Sequence, residues 1–178
     1  MTNAIPFERK TTLQLDTAVR SLSTLRKPLR ENDDRDEPRT VLADIQLAVR
    51  TAQELSLGRV ASRNASLTFQ PRFLLSLLVY CYVTGTFGSA EIEELMRNDM
   101  IFRDLCHDEL PTARVLRRFR RENHPAIRDC IFTVLCRQSQ RSSPPADVAT
   151  SRWSEALMEE ADGRILKAMF IDQMENDL

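Results

Sequence analysis

Glycine is scarce in this chain, with four in 178 residues. So few glycines leave no phosphate-cradling glycine loop, which argues against nucleotide-driven chemistry. Runs of β-branched residues are also few, no convincing strand emerges, and there is no internal repeat, so an all-α fold is expected. Long hydrophobic runs are missing too. The longest, Phe73 to Val83, is about half of what a bilayer crossing needs and reads as core, so no membrane role is expected. Met1 to Thr12 contains no apolar stretch of secretory-signal length and carries Glu8, Arg9 and Lys10, so a cytoplasmic location is expected. The four cysteines, Cys81, Cys106, Cys130 and Cys136, follow no paired short spacing and are expected as reduced thiols.

What is present is charge, and it is segregated. The formal net charge is only −1. Yet Leu110 to Arg141 holds eight arginines against two acids, a net +6, and Trp153 to Leu178 holds seven acids against two bases, a net −5. A nucleic-acid partner responds to the local field within a Debye length, so the neutral total does not argue against one.

Apolar periodicity places the helices. Residues 11–27 carry Leu15, Val19, Leu22 and Leu25 near helical spacing and are stopped by Pro28. Glu31 to Arg39 is an acidic, proline-containing loop. Residues 40–57 form a second helix, with Thr40 as N-cap, a stripe of Val41, Ile45, Ala48, Ala52 and Leu55, and Gly58 as C-cap. Arg59 to Gln70 reads as a polar loop. Residues 72–84 are apolar nearly all round, the mark of a buried central helix ended by Gly85. Ser89 can cap a helix over 90–98, and Asp99 a short one over 100–106. Thr112 caps the next, and His124-Pro125 opens a helix over 125–138. Gln138 to Thr150 has linker composition, and 151–175 reads as a last helix anchored by Trp153. The expected organisation is an N-terminal helical extension (1–60), a central helical domain (61–138), a linker (139–150) and an acidic C-terminal helix (151–178).

The helix after Thr112 is the most informative stretch, with five arginines between positions 114 and 121. At about 100° per residue, Val115, Leu116 and Phe119 share one face. Arg114, Arg117, Arg118 and Arg121 fall opposite, with Arg120 at the edge. Guanidinium forks suit phosphate oxygens and the O6/N7 edge of guanine. A short helix over 100–106, a turn, and this helix make a helix-turn-helix-like unit. Its second member would enter the major groove N-terminus first. Arg114, Arg117 and Arg118 are then nearest the bases, and Arg120, Arg121 and Arg128 are placed to meet phosphates.

These landmarks resemble the N-terminal domain of bacterial insertion-sequence transposases of the DDE type. The likeness runs from Phe69-Gln70-Pro71-Arg72 through Leu74-Leu75-x-Leu77-Leu78-x-Tyr80-x-Tyr82-x-x-Gly85 and Ser89-x-x-Ile92-Glu93. It continues with Asp99-x-x-Phe102-Arg103-x-Leu105 and ends in Pro111-x-x-x-x-Leu116-x-Arg118-Phe119-Arg120-Arg121-x-x-His124. The resemblance implies a helical domain that binds double-stranded DNA, in the family the terminal inverted repeats, ahead of a metal-dependent nuclease domain. The acids after residue 150 lie in one helix and a short end, which cannot assemble a two-metal carboxylate centre. The expectation is therefore a DNA-binding protein that is not an enzyme, without catalytic residues or cofactor, acting as a regulator or a domesticated or truncated transposase. Thr112-Ala113 stands after Pro111 where the family often has a polar, aspartate-containing approach, so DNA preference is expected to differ.

Other sites are weaker. Cys106, His107, His124, Cys130 and Cys136 match no zinc-site spacing, so no metal is expected and the thiols are read as buried. Tyr80 and Tyr82 read as core residues whose hydroxyls find partners, and His124 as a cap. The alternative function is a protein-interaction or homo-oligomerisation module whose acidic tail masks the basic helix.

Overall fold

The computed structural model describes residues 37–52, 69–98, 110–142 and 150–176. Six helices occupy these residues: α1 (Glu37–Ala52), α2 (Pro71–Thr84), α3 (Ser89–Asn98), α4 (Ala113–Glu122), α5 (His124–Ser142) and α6 (Thr150–Asn176). No strand occurs among them, so the fold is all-α. The expected helices over 11–27 and 100–106, the Asp99 and Gly58 caps and most of the 59–70 loop lie outside the described residues.

α2 is the centre of the molecule, as its all-round apolarity predicts. Leu74 through Tyr82 are all buried, and α1, α4, α5 and α6 pack around the helix. Its ends are set by local chemistry. Pro71 takes the first helical position, where a missing N–H costs nothing. The Gln70 carbonyl accepts from the amides of Phe73 at 3.0 Å and Leu74 at 3.3 Å. At the other end Gly85 adopts φ 88°. Its amide donates to Tyr82 O at 3.3 Å, and the Thr86 amide donates to Cys81 O at 2.7 Å. This pair of bonds closes a Schellman turn. The chain then leaves at 104° into α3.

α5 is the second organiser. α1 and α6 both pack along it. Val41, Leu42, Ile45, Ala48 and Val49 of α1 and Ala161, Ile165 and Ala168 of α6 join the same core as α2. The stretches expected to form an extension and a tail thus supply walls of the central domain. Asp44, with its side chain 5% exposed, is held by Arg141 at 2.5 Å and Arg137 at 3.7 Å, which ties α1 to the end of α5.

Three boundaries differ from expectation. α1 starts at Glu37 rather than 40, because Pro38 sits in the first turn, where proline is tolerated, and Thr40 is inside the helix. α5 runs to Ser142, so the first residues of the expected linker are helical. His124 is already helical; the junction with α4 is made by Asn123, whose carbonyl accepts from the Ile127 amide at 3.0 Å. Trp153 does anchor α6, donating from its indole nitrogen to Ser139 Oγ at 2.9 Å. No single helix among the described residues is long and apolar enough to cross a membrane.

Candidate nucleic-acid interface

α4 is begun by its expected cap. Thr112 has extended backbone, and its hydroxyl accepts from the Val115 amide at 3.4 Å. A second acceptor reinforces it: Glu93 of α3 takes the Ala113 amide at 2.6 Å. Carboxylates are favoured at helix N-termini, so this contact also sets the angle between α3 and α4.

Leu116 and Phe119 are fully buried beneath α4, Ala113 is nearly so, and Val115 packs against the core edge. On the far side Arg114, Arg118 and Arg121 are exposed and Arg117 is half-buried. Positions 114, 118 and 121 are i, i+4 and i+7, one ridge about 10 Å long. Arg118 also pairs with Glu122 at 2.8 Å, in an exposed pair that water competes with. Neither Arg114 nor Arg121 has an ion pair among the described residues. Arg128 lies on α5, half-buried, with its guanidinium on the adjacent Asp129 at 3.0 Å.

Arg120 is different. It is 2% exposed, so the phosphate contact expected of it does not hold in this conformation. Counted from Ala113 and Leu116, position 120 falls at the centre of the inward arc, not at its edge. Its guanidinium is ion-paired with Asp172 of α6, itself buried. It also donates to Tyr82 Oη at 2.8 Å and reaches Ser89 Oγ at 3.5 Å. Burial opposes its charge, but Tyr82 and Asp172 outweigh that and raise its pKa further. The Tyr82 phenol, stripped of water, is pushed up to about 12 despite the neighbouring cation. Tyr82 therefore has the hydroxyl partner expected of it.

Asp172 completes this network. One carboxylate oxygen accepts from the Ser89 amide at 2.7 Å, and the other accepts from Ser89 Oγ at 2.7 Å and from Arg120. Ser89 was expected to cap α3 with its own side chain. Instead the first amide of α3 is satisfied by a carboxylate from α6, 83 residues away in sequence. Two turns earlier on α6, Arg164 donates to Tyr82 O at 2.8 Å and Val83 O at 2.9 Å, capping the last carbonyls of α2. Lys167, between them, lies 4.4 Å above the Phe87 ring, which stacks on Tyr82. Thus α6 clamps both sides of the α2–α3 corner and fixes α4 through Arg120. Gly88 stands where the helices meet: a Cβ there would lie 3.1 Å from Glu175 Oε1 and 3.2 Å from Ile171 Cγ2, so those side chains would have to give by a few tenths of an ångström.

Sequence reasoning missed Asp172 and Arg164, and gave Ser89 the role of a cap rather than of a partner to Asp172. A signal existed in the run Ala161, Ile165, Ala168, Asp172, a core-facing period in which a carboxylate holds the last place. A buried carboxylate requires a buried partner. The acids of α6 make no ion pair with Arg114, Arg118 or Arg121 among the described residues; Asp172 pairs with Arg120 instead.

The thiols behave as small hydrophobes where described. Cys81 and Cys130 are buried and Cys136 is half-buried. Desolvation pushes the Cys130 thiol up to about 12 and raises Cys136 as well. Among the described residues no three His, Cys, Asp or Glu side chains gather into a metal-holding group.

A family model described as a transposase domain (DUF772) matches residues 31–122, just over half of the chain. The matched stretch takes in α1 to α4 and stops at the last residue of the arginine helix; α5 and α6 lie beyond it. No curated protein and no solved structure gives a significant match.

Proposed function

The chain belongs to the DUF772 transposase domain family, and from that premise we propose that it binds double-stranded DNA sequence-specifically through α4. In this reading the protein is a recognition module of the kind that DDE insertion-sequence transposases use on their terminal inverted repeats. In this reading it acts by occupancy of its DNA site, as a regulator.

The observation that carries the reading is the ridge of Arg114, Arg118 and Arg121, exposed on a helix whose opposite side is locked in the core. A rigid helix holds its guanidiniums in register for groove contacts, and a bidentate arginine distinguishes guanine from other bases. Arg114, Arg117 and Arg118, towards the N-terminal end, are assigned to base edges. Arg121 and Arg128 are assigned to phosphates; Arg120 is assigned to neither.

The test is fluorescence anisotropy with duplexes from the flanks of the protein's own gene and with scrambled duplexes of equal composition. The reading expects saturable binding that prefers the native flanks. Arg114→Ala should weaken the preferred duplex by about 1–3 kcal/mol and narrow the preference. Equal affinity for native and scrambled DNA would leave a charge-driven binder and overturn sequence-specific recognition.

A further inference from the structure

Arg97, the penultimate residue of α3, has its side chain 66% exposed. Its guanidinium pairs with Glu93, one turn earlier on the same helix. The other oxygen of that carboxylate accepts from the Ala113 amide at 2.6 Å. A single carboxylate therefore bridges the Arg97 guanidinium and the first residue of α4.

The direction of α3 carries Arg97 to the leading end of α4. At the start of α3, Ser89 Oγ lies 3.5 Å from the guanidinium of Arg120, which belongs to the second half of α4. One turn on, Glu93 has reached Ala113, where α4 begins. α3 thus runs against α4, and the backbone of Arg97 lies one further turn along, about 6 Å past the level of Glu93. Ile92 and Met96 bury one side of α3. At about 100° per residue, Arg97 shares a flank with Glu93, whereas Glu94 is outermost and Glu91 falls on the other flank. The acid on the flank of Arg97 is thus the one already engaged by an amide.

The pair with Glu93 occupies one of the five N–H donors that a guanidinium carries, and the others meet no partner among the described residues. An exposed pair within one helix is weak, so an incoming phosphate can share the guanidinium. When a recognition helix enters the major groove N-terminus first, the helix packed beside it crosses the phosphate backbone. A cation ahead of and beside the first turn of α4 then meets the strand that borders the groove, not the base edges.

We propose that Arg97 is a further DNA-contacting residue, gripping a backbone phosphate at the edge of the groove that α4 enters, with Glu93 holding it beside the first turn of α4. This rests on the reading of α4 as the DNA-binding helix. It adds one phosphate to those assigned to Arg121 and Arg128, and it gives α4 a backbone contact at its leading end as well as at its far end.

The test is fluorescence anisotropy of the full chain, across a salt series, on the native-flank duplex and on its scrambled counterpart. Arg97→Ala should weaken both duplexes alike, by about five- to tenfold near 0.1 M salt, and make the salt slope shallower by about 1. Arg97→Lys, which keeps the charge, should restore the slope. Glu93→Gln keeps an oxygen for the Ala113 amide and leaves the guanidinium present, so its slope should stay as steep as the parent's. Affinity and slope unchanged in Arg97→Ala, while Arg114→Ala still weakens the native duplex, would overturn this proposal alone. So would a loss confined to the native duplex, or a Glu93→Gln slope as shallow as that of Arg97→Ala, since either would mean that Arg97 acts only by steadying α4. A parent that binds neither duplex would overturn the reading of α4 and this proposal with it.

Discussion

Among the described residues, Arg120 and Asp172 form the one ion pair in which both side chains are almost wholly enclosed, 3% and 4% exposed. Breaking such a pair leaves a bare buried charge, which costs far more than the pair is worth against an apolar replacement. Asp172→Ala is expected to lower stability by about 3–5 kcal/mol in urea unfolding, and the double change Arg120→Met with Asp172→Leu to recover at least half of it. Asp172→Ala within about 1 kcal/mol of the parent would mean the network is ornamental. Two further residues give a pH dependence. Burial holds the Tyr82 phenol and the Cys130 thiol at about 12 in the folded chain, against ordinary values of 10.0 and 9.0. Raised folded values stabilise below the unfolded ones, so the contribution of these two groups is fully present under pH 9 and is lost as pH climbs from about 9 to 12. Denaturation midpoints measured across that range should decline, and they should decline less for Cys130→Ala relative to its own neutral-pH value. At this scale the sequence was readable only in part. The exposed arginines followed from angle alone, but the same angle put Arg120 at the edge of that face, where the choice between solvent and core depends on a partner. Its partner lies 52 residues away, beyond any local pattern.

Among the elements, α2 and α4 could be recognised because their signals are local: an apolar run between Pro71 and Gly85, and a threonine cap before an amphipathic turn. The role of α6 could not, since it depends on end-capping of other helices. Arg164 and Asp172 satisfy the carbonyls ending α2 and the amide starting α3. A helix that looks like an acidic appendage by charge is thus the brace of a corner. Gly85→Ala, at φ 88°, should cost about 1–2 kcal/mol, read from the unfolding midpoint. Removing everything after Ala146 takes away Ala161, Ile165 and Ala168 from the core as well as both caps. That truncation should broaden and lower the thermal transition. Cooperative unfolding at the parent's temperature would contradict the brace.

For the whole molecule, opposite charges divide into those spent inside the fold and those left for a partner. Asp44 engages Arg137 and Arg141, and Asp172 engages Arg120, so three of the eight arginines between residues 110 and 141 serve the fold. The field offered to DNA is therefore smaller than the sequence total suggests, and concentrated on the outer side of α4. The family match ends with α4, yet α5 and α6 hold that helix in place. In the proposed reading, recognition and support are divided along the chain. The most direct measurement is the affinity of the full chain for duplex DNA across a series of salt concentrations. Parent and the triple variant Arg114→Ala, Arg118→Ala, Arg121→Ala would be compared, with circular dichroism confirming equal helicity. With the two phosphates assigned to Arg121 and Arg128 engaged, the parent's log affinity should fall with log salt at a slope of roughly −2, or roughly −3 once Arg97 is counted. The variant should bind at least tenfold more weakly with a slope shallower by about 1. An unchanged affinity and slope in a folded variant would show that the arginine ridge of α4 is not where this protein meets DNA.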